Sequence, residues 1–224
     1  MRSTGAVIFL ALLVAAGCDR SPPVPRPAAG SAAAVRTPRE TIARLIAAHS
    51  AGSYREMESL MVADRAAGAV RTLTAIDEFL LANRLLCDHV REKLSPAIAQ
   101  MIDQAQIAGN LDIFSPYVEL VEEEIRGDEA EVSFSVDGRL PLKRTRLVRI
   151  GGQWKYDPGE DYGANLPDAF RRMADGLRLV LDGLKQGRPP LDRILEKPEL
   201  LVEEVRVRLL PGVSMLRPAT KPIR

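Results

Sequence analysis

Cysteine is almost missing from this 224-residue chain, which has two, Cys18 and Cys87. Two cysteines can build neither a disulfide framework nor a cysteine-based zinc site. An excess of one charge is missing as well: 31 Lys and Arg stand against 30 Asp and Glu. The first 17 residues contribute only Arg2, so the remainder is balanced at 30 against 30. Nucleic acid requires clustered charge that neutralises phosphates, and this chain has none to spare, so nucleic acid is not an expected partner. Aromatic residues make up only 4% of a chain that is 46% hydrophobic. The core should therefore be built of Leu, Val, Ile and Ala. No phosphate-binding glycine loop, G-x-S-x-G elbow or H-E-x-x-H occurs, so those three chemistries have no residues to run on.

What is present begins with an address. Ala6 to Gly17 is an uncharged run of 12 residues behind Arg2. It is well short of the ~20 that a spanning helix needs, and it predicts a secretion leader at residues 1–17. The run ends in Ala15-Ala16-Gly17-Cys18, which resembles the bacterial lipobox. The resemblance implies that Cys18 receives diacylglycerol, that cleavage falls just ahead of it, and that the protein reaches a membrane through this lipid anchor. At ~0.8 kcal/mol per buried methylene, more than one acyl chain makes such attachment stable. The alternative is an ordinary secreted protein in which Cys18 is incidental. The anchor places the chain in the bacterial envelope, facing the periplasm or the exterior. Asp19 resembles the inner-membrane retention residue of enteric bacteria, a rule that does not carry across bacterial groups, so inner and outer membrane both stay open. "SPPVPRPAAGSAAAVRTP", Ser21 to Pro38, holds five prolines and no hydrophobic period. Residues 18–36 are accordingly expected to be an extended, semi-rigid tether.

From Thr37 the chain changes character. "TPRE", Thr37 to Glu40, is a capping box with proline at the first helical position, and Ile42, Leu45, Ile46 and His49 follow at helical spacing to Gly52. "SYRE", Ser53 to Glu56, repeats the capping signature. A longer helical region carries Val70, Leu73, Phe79, Leu80, Leu86, Val90 and Leu94, and Pro96 opens another that "AGN", Ala108 to Asn110, ends. Between Tyr117 and Asp157 the period drops to two, with turn dipeptides at 127–128, 137–138 and 151–152, so strands are expected. Val132, Phe134 and Val136 alternate with Glu131, Ser133 and Ser135. Glu119, Glu122, Glu123 and Glu124 of the first strand complement Lys143, Arg144, Arg146 and Arg149 of the third, which reads either as pairing across a curved antiparallel meander or as two solvated faces. Helix returns after Gly163, with Phe170, Met173, Leu177, Val180 and Leu184 as a narrow stripe ending by Gly187, and again from Pro198 to Leu210 before "PG". The stripe can pack on the sheet, on a second copy or on a partner, and the sheet is the simplest expectation.

The expected architecture is thus α+β: N-terminal helices on a curved, cone-like antiparallel sheet (37–162), a C-terminal helical extension (163–211) and a disordered tail (212–224). This order of elements, closing on Leu147 to Asp157, "LVRIGGQWKYD", resembles the nuclear-transport-factor-2-like superfamily over roughly Thr37 to Tyr162. The resemblance implies a bent sheet whose helices close it into a cone. That superfamily includes ketosteroid isomerase, limonene-epoxide hydrolase, SnoaL-type polyketide cyclases and lipoproteins that only bind, so the fold does not select among functions. Its enzymes hang acid–base residues inside the cone. The positions expected to point inward here, Val132, Phe134, Val136, Val148 and Ile150, carry no titratable group.

His49, on the apolar stripe of the first helix, and Tyr117, at the head of the first strand, are the only catalytic candidates. A lone histidine on an apolar face is more often a satisfied core residue. "CDH", Cys87 to His89, sets thiol and imidazole two apart on a helix, where they do not face each other, and Cys87 reads as a small buried hydrophobe. "DPGED", Asp157 to Asp161, lacks the ligand pattern of a calcium loop and reads as a solvated turn. Neither cofactor nor metal is expected. Three functions remain: a non-enzymatic binding or interaction module for a protein or small apolar ligand, an isomerase- or cyclase-type enzyme, or an assembly lipoprotein docking through the helix from Pro167 to Lys185. The oligomeric state is not legible in the sequence.

Overall fold

A computed structural model describes residues 36–108, 112–115, 117–159 and 165–216, which fall in a single compact unit. The expected leader, lipidated Cys18, most of the tether and the end of the tail lie outside the described residues. The architecture is α+β, a four-stranded antiparallel sheet, curved and unclosed, with helices before and after it. Among the described residues seven α-helices occur, the first four being α1 (Pro38–Ser50), α2 (Tyr54–Leu60), α3 (Ala63–Lys93) and α4 (Pro96–Ile102). Two short 3-10 turns lead into β1 (Val118–Arg126), β2 (Glu129–Val136), β3 (Lys143–Ile150) and β4 (Gln153–Asp157). Three helices close the chain: α5 (Leu166–Lys185), α6 (Leu191–Glu196) and α7 (Glu199–Leu216).

The capping box that starts α1 is complete. Thr37 Oγ1 accepts from Glu40 N at 3.2 Å, and Glu40 Oε2 accepts from Thr37 N at 2.9 Å. The second signature is not used: Ser53 stands ahead of α2 without a side-chain cap bond. The sheet is a simple meander in the order β1-β2-β3-β4. On β2 the residues expected inward, Val132 and Phe134, are buried, but the half-buried alternation is not kept. Ser133 and Ser135 are buried as well and Val136 is only half-buried, on a strand flanked by β1 and β3. On β3 the expectation is one residue out. Leu147 is fully buried, whereas Val148 is only half-buried and Ile150 is half exposed. Leu147 pairs with Tyr156 and Arg149 with Trp154, and the two buried aromatics hold that face inward. Because side chains alternate with period two, a one-residue difference turns a whole strand over.

The charge complementarity is also redistributed. In a meander β2 lies between β1 and β3, so Arg144 and Arg146 reach Glu131 (3.2 Å) and Glu129 (2.6 Å) of β2 rather than the glutamates of β1. A bulge between Leu120 and Glu122 breaks the β1 ladder. Arg39 of α1 fits there, donating to the carbonyls of Leu120 (2.7 Å) and Val121 (3.3 Å), while Glu123 accepts from its backbone N–H.

Two cores form. In the first, α1 lies across the inner face of the sheet, so that Ile42, Leu45, Met57, Phe134, Leu147, Trp154 and the N-terminal half of α3 fill it. In the second, the C-terminal half of α3 packs with α4, α5, α6 and α7. The stripe on α5 belongs here and not on the sheet: Phe170, Met173, Leu177, Val180 and Leu184 are buried against α3 and α7, with Phe79 and Phe170 edge to face at 5.6 Å. This correction also removes that stripe as a free docking face. Pro211 does not end the last helix, which runs on to Leu216 and so takes up the first residues assigned to the tail. Its neighbour Gly212 is pressed against Ala169 and Met173 of α5, a contact that holds the helix together past the hydrogen bond that proline removes.

Candidate functional site: an open cavity at the rim of the sheet

The inner face of the sheet is filled with side chains, and the open space lies at its edge. A cavity of about 680 Å³ is bordered by the last turn of α1, the head of α2, the middle of α3 and the approach to β1. Helical spacing places Ile46, His49 and Ser50 on its wall, on the flank next to the buried row Ile42, Leu45 and Ala48. Gly52, at φ +66°, then reverses the chain. This is a left-handed conformation that glycine adopts without steric cost. The reversal brings Tyr54 back towards His49. Phe114, Ser115, Tyr117 and Val118 close the opposite side. Tyr117 is itself left-handed (φ +61°), and its carbonyl accepts from Asp137 N at 3.1 Å, tying the cavity mouth to the β2–β3 turn.

The polar centre of this wall is Asp77. One oxygen, Oδ2, takes both the Tyr54 hydroxyl and His49 Nε2, each at 3.0 Å. A carboxylate only accepts, so Nε2 carries a hydrogen; Nδ1 holds a lone pair in the neutral ring. Among the described residues neither His49 Nδ1 nor Asp77 Oδ1 has a hydrogen-bond partner. Phe114 meets the imidazole edge to face at 5.0 Å and continues to Tyr156 at 6.1 Å, so the ring is held by packing as well as by Asp77. Burial, and then the negative charge of Asp77, push the Tyr54 phenol above its ordinary value. No Lys or Arg is among the described residues lining the cavity.

His49 and Tyr117 therefore border the same cavity but do not act on each other. His49, its side chain 13% exposed, is bound to Asp77, while Tyr117 is 81% exposed at the mouth. Sequence reasoning missed Asp77 and Tyr54. A signal existed: Asp77 follows Leu73 by four residues and precedes Leu80 by three, an acid set into an apolar stripe. The other motifs settle elsewhere. Cys87 is buried, and burial, with Asp103 nearby, pushes its thiol up to about 11. Asp157 is not a solvated turn residue, since it pairs with Arg65 at 2.6 Å and accepts from Gly159 N. Among the described residues no cluster of three or more His, Cys, Asp or Glu could hold a metal ion, and no helix is long and apolar enough to cross a membrane. No protein-family model, curated protein or solved structure matches the chain.

Proposed function

We propose that the chain is a lipid-anchored protein of the bacterial envelope whose folded domain is a non-enzymatic binding module, taking a small ligand into the cavity between α1, α2, α3 and β1. The observation that carries this reading is the cavity itself: about 680 Å³, walled by Ile46, Phe114, Val118 and tyrosine rings around one polar cluster. Apolar walls with few, converging polar groups are what small-molecule sites have in common. The address rests on Ala15-Ala16-Gly17-Cys18 and the proline-rich segment behind it. Helices followed by a four-stranded curved sheet are the order expected from the resemblance to the nuclear-transport-factor-2-like superfamily, which is part of this proposal.

A second reading, an isomerase- or cyclase-type enzyme, is favoured by one specific observation. His49 backed by Asp77 at 3.0 Å has the arrangement of an oriented general base. Binding is preferred because the hydrogens of Tyr54 and His49 Nε2 are both spent on Asp77. The inner end of the site then has no phenol or imidazole donor for a developing oxyanion. Native mass spectrometry of the full chain, gently extracted, tests the reading: a retained small molecule, lost in Ile46→Trp, supports it. Turnover of a carbonyl substrate that His49→Asn abolishes would replace it with the enzymatic one. Cys18→Ser should move the protein out of the membrane fraction, and unchanged membrane association overturns the anchor.

A further inference from the structure

Resting on the binding reading, we infer that the cavity selects an organic cation, a primary or substituted amine carrying an apolar body. The argument is one of charge and of hydrogen-bond sense. Asp77 is the only Asp, Glu, Lys or Arg among the described lining residues. The two donors nearest it are consumed, because Tyr54 and His49 Nε2 both give their hydrogens to Oδ2. What the cluster still offers an ammonium group is Asp77 Oδ1, which has no hydrogen-bond partner among the described residues, joined by His49 Nδ1 in the neutral ring. A carboxylate ligand would meet like charge at Asp77, and the hydrogens of Tyr54 and His49 Nε2 would not be available to it. An ammonium group would meet a carboxylate, where a charge-assisted hydrogen bond is shorter and stronger than a neutral one.

The walls agree with this assignment. Phe114, Tyr54 and Tyr117 line the same cavity as Asp77, and aromatic faces attract cations, more weakly where a site is open to water. One carboxylate and one imidazole are too few for a metal site, whereas a cavity of about 680 Å³ is far larger than an ion requires. Chemistry and size both point to an amine with a carbon skeleton.

The test uses the full chain in a non-ionic detergent at pH 7 and three probes of matched shape: 2-phenylethylamine, 2-phenylethanol and phenylacetate. Isothermal titration should give saturable binding of the amine at least tenfold tighter than the alcohol, and no measurable binding of the acid. Asp77→Asn should lower amine affinity tenfold or more and leave the alcohol unchanged, while Ile46→Trp should abolish both. Far-ultraviolet circular dichroism melts check that each variant folds. Equal affinity for amine and alcohol, or amine binding indifferent to Asp77→Asn, overturns the cation assignment and leaves the binding reading standing. Preferential binding of phenylacetate overturns it as well. Failure of all three probes also overturns it, and the native mass measurement then decides separately whether the cavity holds anything.

Discussion

Asp77 shows how much one side chain can organise: a single carboxylate oxygen fixes the rotamers of a tyrosine from α2 and a histidine from α1. Removing it leaves a phenol and an imidazole in a partly buried place without their acceptor. Asp77→Ala should cost about 1–2 kcal/mol in urea unfolding, the scale of one charged hydrogen-bond acceptor lost. Burial first, and then the same residue, raise the phenol's titration. In the native protein Tyr54 should ionise above its ordinary value of 10.0, read as the absorbance difference at 295 nm between the parent and Tyr54→Phe. Asp77→Asn should move that step back towards the ordinary range. Cys87 gives a second titration, of larger effect on stability. Its thiol goes from an ordinary 9.0 to about 11 on folding, so the neutral form is what the folded protein favours. The associated stability is fully present below about pH 9 and is lost as the pH rises towards 11, amounting to roughly 2–3 kcal/mol at 1.36 kcal/mol per unit. Melting temperatures falling more steeply across that window in the parent than in Cys87→Ala, which keeps the Tyr54 titration, are the expected result. At this scale the sequence showed His49 through its spacing and Tyr117 through its place at the strand head. Asp77 left only the weaker mark of an acid set between Leu73 and Leu80, because an acid in a long helix is ordinarily a solvated one; the tertiary fold brings His49 of α1 and Tyr54 of α2 to it.

Between elements, the tightest approach is α5 against α7. A Cβ at Gly176 would stand 2.5 Å from the carbonyl oxygen and 3.0 Å from the carbonyl carbon of Arg208. Both are backbone atoms of a helix and have little freedom to withdraw. In an open helix, glycine to alanine is favourable by up to ~1 kcal/mol through chain entropy. Here overpacking of ~1–3 kcal/mol opposes it and sets the sign. Gly176→Ala should therefore lower the urea midpoint, while Gly68→Ala in α3, where a Cβ would meet nothing within 4 Å, should raise it. Equal shifts for the two would remove the close crossing from the account. The stripe on α5 could be read directly from its three- and four-residue spacing, but spacing does not name the surface that receives it. That surface includes Phe79 of α3 and the part of α7 beyond Pro211. The dipeptide "PG" is locally a stop signal, and packing of Gly212 on α5 overrides it. The inversion of β3 has a similar origin: Leu147, Val148 and Ile150 give two acceptable alternations, and Trp154 and Tyr156 on the neighbouring strand decide between them.

Across the whole molecule, α3 is shared property. Ala66, Ala69, Val70 and Leu73 serve the core under the sheet, while Ala75, Ile76, Phe79, Leu86 and Val90 serve the helical core. The change of period near Gly163 suggests a boundary between a sheet domain and an appended helical extension, yet the second core is made from both sides of it. If residues 163–224 are removed, α3 loses its cover from α5. Phe79, Leu86 and Val90 are each at most 1% exposed in the intact chain. Uncovering side chains of this size costs roughly 1.5–3 kcal/mol apiece, and three of them approach the ~5–15 kcal/mol that holds a typical domain together. Even with α4 covering part of that face, residues 37–162 alone should self-associate or lack a cooperative melt, while residues 37–224 melt in one transition. Sedimentation velocity and differential scanning calorimetry on the two fragments distinguish these outcomes. A monomeric 37–162 fragment with a sharp transition would make the C-terminal helices an accessory; its absence makes them part of the scaffold that positions Asp77, since the helix that carries this residue is anchored at both ends.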